Sequence, residues 1–396
     1  MKKKEEKIAV IIYNYIQYLS IIPGIRGLIK SGYDVDFYCG KVDDDSGFNN
    51  LFSDVTKILK KEGFKVYNKV QKTNYKIVLD PYEGLFDIRG KYNLRYRYGP
   101  IAAKPNKVLT TDKMIRYDCI ICSGPYEARM LKAFANTEIV ADLKYMDFKK
   151  KKLKESNAKK VLLYLPTYGE ESSIDLLLDE LEKLKKDYYI IAKTHHGTSF
   201  LKEESERPDK LRKVVDECYD LHTELKKLLE VADVVLSDNS ASIFEAMLNK
   251  VPVAIFSDDI NQNKLGEINS VQYDLYKEGI LPYTNDAKKI KKILKEALSK
   301  EIIEKQNNWA RDNFTYSKDP VKDFVALIEK YYNDEIDMQD YLFRRLIKDS
   351  IKEKNDYIDY MWRAYRHQEA LLKEYQEGKL YKLASKLYKI MNKRDK

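Results

Sequence analysis

Cysteine, histidine and tryptophan are scarce in this chain: four Cys, four His and two Trp among 396 residues. Cys119 and Cys122 make one C-x-x-C spacing, while Cys39 and Cys218 stand alone. No second pair and no nearby His completes a zinc set. The run Tyr117-Asp118-Cys119-Ile120-Ile121-Cys122 reads instead as a buried strand, and the thiols as reduced core residues of a cytoplasmic protein. Glycine and proline are also few, at 15 and 10, which excludes collagenous and low-complexity classes. No window approaches the ~18 apolar residues of a membrane helix. Met1-Lys2-Lys3-Lys4-Glu5-Glu6 has the basic start of a signal peptide, but two acids follow and the apolar run Ile8 to Ile12 is too short for one. Any membrane contact is then peripheral, on the inner face of the cell membrane.

Arginine is the last scarcity. The 72 basic residues divide into 58 Lys and 14 Arg, set against 63 acids, for a formal charge of +9. A surface built to grip phosphates bidentately favours Arg. The basic residues here are Lys-rich, spread along the whole chain and unaccompanied by aromatic-plus-Arg clusters, so nucleic acid is excluded as a partner. What is present is 44% hydrophobic and 34% charged residues, the balance of a folded protein. Tyrosine is abundant, 32 against 13 Phe, and many of these rings are expected half-buried with the hydroxyl in water or on a ligand.

Short apolar runs alternate with helical stretches. Ile8–Tyr13, Asp34–Cys39, Phe64–Tyr67, Tyr75–Leu79 and Cys119–Cys122 read as strands, with helices ending at Ser31-Gly32 and at Gly63. That rhythm predicts βαβ units and a parallel sheet over residues 1–150. The block Phe148 to Lys154, FKKKKLK, marks a link near 148–158. A second doubly wound unit is expected over 151–320, from Val161–Leu165, Tyr188–Ala192, Val234–Leu236 and Val251–Phe256 with their intervening helices. Residues 321–396 change to a helical extension. Its end, 379–396, carries seven basic residues and one acid, with Leu380, Leu383, Leu387, Ile390 and Met391 on one helical face. Two readings of that end stand: an apolar face packed on the body, or a basic amphipathic helix on an anionic bilayer.

Two stretches carry the chemistry. In Ser237-Asp238-Asn239-Ser240-Ala241-Ser242, a polar turn leads from a strand into a helix whose small residues let a phosphate approach the first-turn N–H groups. Glu245, one turn on, is placed to accept hydrogen bonds from ribose hydroxyls. The alternative is plain N-capping by Asp238 or Ser240. In Tyr189-Ile190-Ile191-Ala192-Lys193-Thr194-His195-His196, a Lys and two His follow a strand directly, where ligands bind in open α/β sheets. A His there donates to a diphosphate or protonates a leaving phosphate. Metal binding is the rival, but adjacent His side chains diverge and no carboxylate or Cys at ligand spacing joins them. Asp43-Asp44-Asp45 has the look of an Asp-x-Asp metal site, but Gly and Asn crowd it as in a solvated loop. Gly124-Pro125 frames either a cleft wall or a simple strand-to-helix connection.

These segments, in this order, resemble the CDP-glycerol glycerophosphotransferase family of wall and capsule polymer synthesis, whose fold is GT-B. Leu165-Pro166-Thr167-Tyr168-Gly169 corresponds to the family's Pro-Thr-Trp stretch. Lys193-Thr194-His195-His196 corresponds to its Lys-x-His-Pro motif, with His for Pro. Ser237 to Glu245 corresponds to its Thr-Asp-Tyr-Ser-Ser-x-x-Phe-Asp motif. The likeness covers roughly residues 95–260. One departure stands out. The family's Trp-His-Gly-Thr-Pro motif, whose His is held to be catalytic, is matched by Arg97-Tyr98-Gly99-Pro100, and no His precedes His195. A general base is then a carboxylate, a Tyr or the substrate itself.

The resemblance implies an α/β GT-B transferase that needs no cofactor or metal. Its donor is a nucleotide-activated alditol or sugar, CDP-linked by preference, and its acceptor a hydroxyl of a polymer or lipid-linked chain. His195, Lys193 and Asp238 are the expected catalytic group. His196, Ser240, Ala241, Ser242, Glu245 and Thr167 are expected on the donor, with Arg97, Tyr98 and Gly99 on the acceptor side. A non-catalytic scaffold of a polymer-synthesis complex is the alternative.

Overall fold

The computed structural model describes residues 6–39, 49–81, 88–97, 99, 117–132, 135–199, 202–238, 240–256, 271–378 and 381–382. Seven strands form the first sheet: β1 (Lys7–Ile11), β2 (Asp34–Tyr38), β3 (Val66–Tyr67), β4 (Tyr75–Asp80), β5 (Gly90–Tyr96), β6 (Cys119–Cys122) and β7 (Asn136–Ile139). Their order is β3-β2-β1-β4-β5-β6-β7 and each pairing is parallel. Six form the second: β8 (Lys160–Leu165), β9 (Tyr188–Lys193), β10 (Glu217–Tyr219), β11 (Val234–Ser237), β12 (Val253–Phe256) and β13 (Tyr283–Thr284). Their order is β10-β9-β8-β11-β12-β13, again parallel. This is the expected pair of doubly wound sheets.

Burial on both faces explains why these strands are continuous apolar runs. Along β8, Val161, Leu163 and Leu165 join one core cluster, while Leu162 and Tyr164 join the cluster on the opposite face. In each sheet the strand order reverses beside the first strand, between β1 and β4 and between β8 and β11. Such switch points open a crevice at the carboxyl ends of the strands. In the second sheet the loops at that point begin with Pro166 and Asp238, inside two of the three matched stretches.

The helix α1 (Tyr15–Lys30) leaves the carboxyl end of β1. The Asn14 side chain caps it by accepting from the Gln17 N–H at 3.0 Å, and Gly32 closes it at φ 89°. A Cβ on Gly24 would lie 2.5 Å from the Phe324 ring, so Gly there lets the helix Pro320–Tyr332 lie close against α1. Asp334, just past that helix, pairs with Lys76 at 2.9 Å and Lys91 at 2.7 Å and accepts from the Tyr92 hydroxyl at 2.6 Å. The chain thus returns to the first sheet after building the second. The helical extension expected over 321–396 divides accordingly. Residues up to Asp337 belong to one compact unit, and Met338–Lys396 form another. The second unit contains a 40-residue helix, Met338–Glu377, with exposed Leu342, Tyr357, Trp362, Tyr365 and Leu372. The basic end at 379–396 lies outside the described residues except for Tyr381 and Lys382, and so does the Asp43–Asp45 loop.

The FKKKKLK block is anchored rather than loose. Lys150 Nζ donates to the carbonyls of Leu229 and Ala232, and Lys151 pairs with Glu230. These lysines sit at the C-terminus of the helix Leu225–Val231, where its dipole favours cations. Cys119 and Cys122 are buried in β6 as free thiols, and burial pushes Cys119 up to about 12. Gly124 is a close-approach position: a Cβ there would stand 2.2 Å from the Asn313 carbonyl oxygen. Of its two readings, the turn therefore packs on the segment that crosses back between the sheets.

Candidate functional site

A cavity of about 170 Å³ opens at the switch point of the second sheet. From β8 and β9 it is lined by Pro166, Lys193, His195 and His196, and from the loop after β11 by Ser240, Ala241, Ser242 and Glu245. Its opposite wall is Tyr15, Ile16 and Leu19 of α1, with Gly99 and Lys144. Both sequence motifs of the second sheet and the first turn of α1 therefore face one space.

Lys193 ends β9 and His195 follows two residues later. The Gly197 N–H donates to His195 Nδ1 at 3.0 Å, which leaves the ring proton on Nε2 as a donor. The His195 ring is sandwiched between Tyr168, stacked at 4.6 Å and 17°, and His196 at 4.0 Å. A Cβ on Gly197 would stand 2.4 Å from the Tyr168 ring, so Gly at that place permits the stack. His196 is half-buried. Burial first, and the Lys193 charge second, push its imidazolium down to about 4, so it is neutral at pH 7. Burial likewise lowers Lys193 to about 8, with Asp220 and Glu245 opposing and the Lys144 charge adding to the drop. At neutral pH the cavity thus holds the Lys193 ammonium and two adjoining imidazoles, beside the ion-paired Lys144.

Asp238 and Thr167 are placed differently. Asp238 is fully buried and does not line the cavity. Its Oδ1 accepts from the Thr167 N–H at 2.7 Å, and its Oδ2 from the Ser173 N–H at 3.0 Å and hydroxyl at 2.9 Å. It pins the loop that carries Tyr168, and so acts on His195 through the stack rather than by contact. Thr167 contributes its backbone, its side chain being buried.

At the start of the helix Ser242–Leu248, Ser240 Oγ accepts from the Ser242 N–H at 3.4 Å and hydroxyl at 3.0 Å. The next two N–H groups, of Ile243 and Phe244, bond to the carbonyls of Ser240 and Ala241. The first-turn donors expected to hold a phosphate are therefore partly used, which leaves the hydroxyls and Lys193 as the cavity's remaining donors of that set. Glu245 is also engaged: Oε1 takes Lys144 Nζ at 2.7 Å and Oε2 the Tyr145 hydroxyl at 2.8 Å.

Of the acceptor-side residues, Arg97 and Gly99 line one small cavity of about 40 Å³. Tyr98 lies outside the described residues. Gly99 borders the main cavity, where a Cβ would touch Glu245 Oε1 at 3.8 Å. Gly99 thus borders both cavities, and in the smaller one Arg97 Nε lies 2.7 Å from buried Glu127 Oε1. What adjoins the main cavity on that side is a groove of about 280 Å³ between α1 and Glu224–Lys226. It shares Tyr15, Leu19, Lys144, Glu224 and Leu225 with the cavity. Tyr15 hydrogen-bonds Glu224 and stacks on Tyr18 at 5.8 Å.

Sequence reasoning missed Lys144, Tyr145, Tyr15 and Asp142. Asp142 caps the turn Leu143–Tyr145 by accepting from the Lys144 N–H at 2.8 Å, and burial raises its carboxyl to about 6. The only signal available was the Asp-x-Lys-Tyr run between the two sheets. Among the described residues no group of three or more His, Cys, Asp or Glu is arranged to hold a metal ion. No helix among them is long and apolar enough to cross a membrane.

Residues 141–321 match the sequence model of the CDP-glycerol:poly(glycerophosphate) glycerophosphotransferase family. That stretch holds Lys144, Lys193, His195 and Glu245, and stops short of Arg97–Gly99. No curated protein matches the chain. Among solved structures, the wall teichoic acid polymerase TagF is similar with a TM-score of 0.55 at 15% identity, over 85% of this chain and 91% of that one. TagF H444N soaked with CDPG superposes equally, at 0.55 and 16% over 84% and 90%. A putative UDP-N-acetylglucosamine 2-epimerase from Listeria monocytogenes reaches 0.55 at 11%, over 85% and 98%. The fold is thus GT-B, shared by transferases and an epimerase alike, and the chemistry must be argued from the site.

Proposed function

We propose that this protein is a transferase that moves a glycerol phosphate, ribitol phosphate or sugar unit from a nucleotide-activated donor, CDP-linked by preference, to a hydroxyl acceptor in teichoic-acid-like or capsule polymer synthesis. The observation that carries this reading is the convergence of Lys193, His195, Ser240, Ser242 and Glu245 on one cavity at the β8–β11 switch point. The family match over the same residues supports the donor class.

For a CDP-alditol, the acceptor oxygen forms a bond to the β-phosphorus and the bond to the leaving CMP oxygen breaks. For a sugar nucleotide, attack is at the anomeric carbon and the nucleoside diphosphate leaves. Both routes build negative charge on the leaving phosphate. The Nε2–H of His195 and the Lys193 ammonium are the donors placed to meet it. Asp238 positions the loop on which His195 stacks. The acceptor is a polymer or lipid-linked chain entering by the Tyr15–Tyr18 groove, and the +6 segment 379–396 meets an anionic bilayer surface.

Calorimetric titration with CDP, CMP and UDP, followed by product mass spectrometry over CDP- and UDP-activated donors, tests the proposal. Binding of one nucleotide and a mass gain on the acceptor are expected. The absence of a His before His195 favours the rival scaffold role. Nucleotide binding with no product from any donor would establish that rival, and no binding at all would remove the nucleotide from the site.

A further inference from the structure

Lys144 and Glu245 form an ion pair in an unusual place. The two groups meet at 2.7 Å with side chains 8% and 10% exposed, yet both line the cavity that holds Lys193 and His195. Both oxygens of the Glu245 carboxylate are occupied, one by Lys144 and the other by the Tyr145 hydroxyl. A Glu so engaged has little acceptor capacity left for a ligand hydroxyl, and a Lys so neutralised attracts an anion weakly. A buried pair of this kind is weak evidence for stability. It does leave two complementary charges that a ligand carrying both an anion and hydroxyl donors can separate.

The surroundings fit such a separation. Lys144 lies on the short turn Leu143–Tyr145, whose backbone is held by the Asp142 cap, and its four-carbon stem has the rotatable bonds to re-aim the ammonium from that fixed root. It borders both the main cavity and the adjoining groove. Its charge reaches Lys193, which places the two ammonium groups on one space. The Tyr145 hydroxyl, donating to the other Glu245 oxygen at 2.8 Å, does not depend on Lys144 for its position.

We propose that the Lys144–Glu245 pair is an exchange latch: an entering diphosphate draws the Lys144 ammonium off Glu245, which frees the carboxylate for the ribose hydroxyls of the same nucleotide. The proposal rests on the nucleotide-donor reading. It makes phosphate and ribose recognition interdependent, because a ligand with only one of the two parts opens the pair without filling both vacancies.

The latch makes opposite-signed predictions for fragments, measured by calorimetry on the full chain with inorganic pyrophosphate, cytidine and CDP as probes. Glu245→Gln releases Lys144, so pyrophosphate should bind about tenfold tighter while cytidine binds weaker. Lys144→Met/Glu245→Gln should abolish the pyrophosphate gain, and Lys144→Arg should keep CDP within about threefold of wild type. A melting curve accompanies each variant, and the double variant removes both charges together so that no buried ion is stranded. The latch is overturned if Glu245→Gln binds pyrophosphate no tighter than wild type, or if the gain persists in the double variant. If wild type binds pyrophosphate but not CDP, the nucleotide reading fails while the pyrophosphate comparison still decides the latch.

Discussion

The two sheets end differently along their carboxyl edges. After β8, β9 and β11 the second sheet presents Lys193, His195, Ser240 and Ser242 to an open cavity. After β5 the first sheet turns its charged residue inward, and Arg97 is sealed against Glu127, which also accepts from the Ser123 N–H at 3.2 Å. One fold, used twice, thus yields a ligand-facing rim in one half and an internally satisfied one in the other. Charged groups at the carboxyl edge of a sheet do not by themselves make a site. What separates the two is whether a partner within the same half has already neutralised them. The first half contributes to the cavity chiefly through α1, whose first turn supplies Tyr15, Ile16 and Leu19.

The sharpest test of that contrast is Arg97→Met. It removes from the Glu127 carboxyl, already pushed up by burial, the larger of the two arginine charges that oppose the rise, leaving the Ser123 N–H and the weaker influence of Arg95. Loss of one partner of a buried pair costs about 3–5 kcal/mol, so a large drop in denaturation midpoint is expected, with donor affinity unchanged in the folded fraction. A variant that melts like wild type but loses acceptor KM would return Arg97 to the acceptor side. His195→Ala, in the other half, should do the reverse. Turnover should fall by about 10²–10³ with the melting temperature nearly constant, because the half-buried ring lines the cavity and belongs to neither core cluster of the second sheet. Retention of more than about a tenth of wild-type turnover would remove His195 from the chemistry.

Gly197→Ala separates positioning from contact. The added Cβ would sit 2.4 Å from Tyr168, so the ring must move by about 1 Å and the His195 stack opens. Turnover should drop on the order of 30-fold, since displacements of that size near reacting groups are costly. Tyr168 is 44% exposed, so the fold has room to accommodate the shift and stability should change little. Tyr168→Ala/Gly197→Ala should then be no worse than Tyr168→Ala alone. An additive loss would mean that Gly197 acts by another route.

Much of the donor half was legible because its signals are local. Continuous apolar runs such as Val161–Leu165 mark strands buried on both faces, and Lys193 and His195 follow one directly. The strands that escaped notice lack such runs. β5, GKYNLRY, alternates polar and aromatic residues because Asn93 and Arg95 are buried among polar partners; the Asn93 N–H donates to Asp118 Oδ2 at 2.7 Å. β10 and β13 are three and two residues long, too short for any periodicity. Lys144 was invisible for another reason. Its role comes from a residue 101 positions away, Glu245, and no window along the chain contains both. Asp238 was found as a site residue, but only the Thr167 and Ser173 contacts reveal that it works through a loop.

The smallest expected effect concerns pH and sharpens the contrast without mutation. Burial is the main cause that brings Lys193 down to about 8, with Lys144 adding to the drop and Asp220 and Glu245 opposing it. The protonated form is the one that attracts a phosphate. Anion affinity is therefore highest below pH 8 and lost as pH rises through that value. Between pH 7 and 9 the charged fraction of such a group falls about tenfold, and the CDP dissociation constant should rise by about the same factor. The terminal phosphate, with a second pKa of about 6, is already about nine-tenths ionised at pH 7, so its own titration changes affinity little in this window and in the opposite direction. His196, at about 4, is neutral throughout and contributes no slope. Lys193→Arg supplies the control, because a guanidinium stays charged to pH 9 and above and the dependence should flatten. A wild-type constant that stays level from pH 7 to 9, or a slope that survives in Lys193→Arg, would show that the phosphate is held by something other than this ammonium.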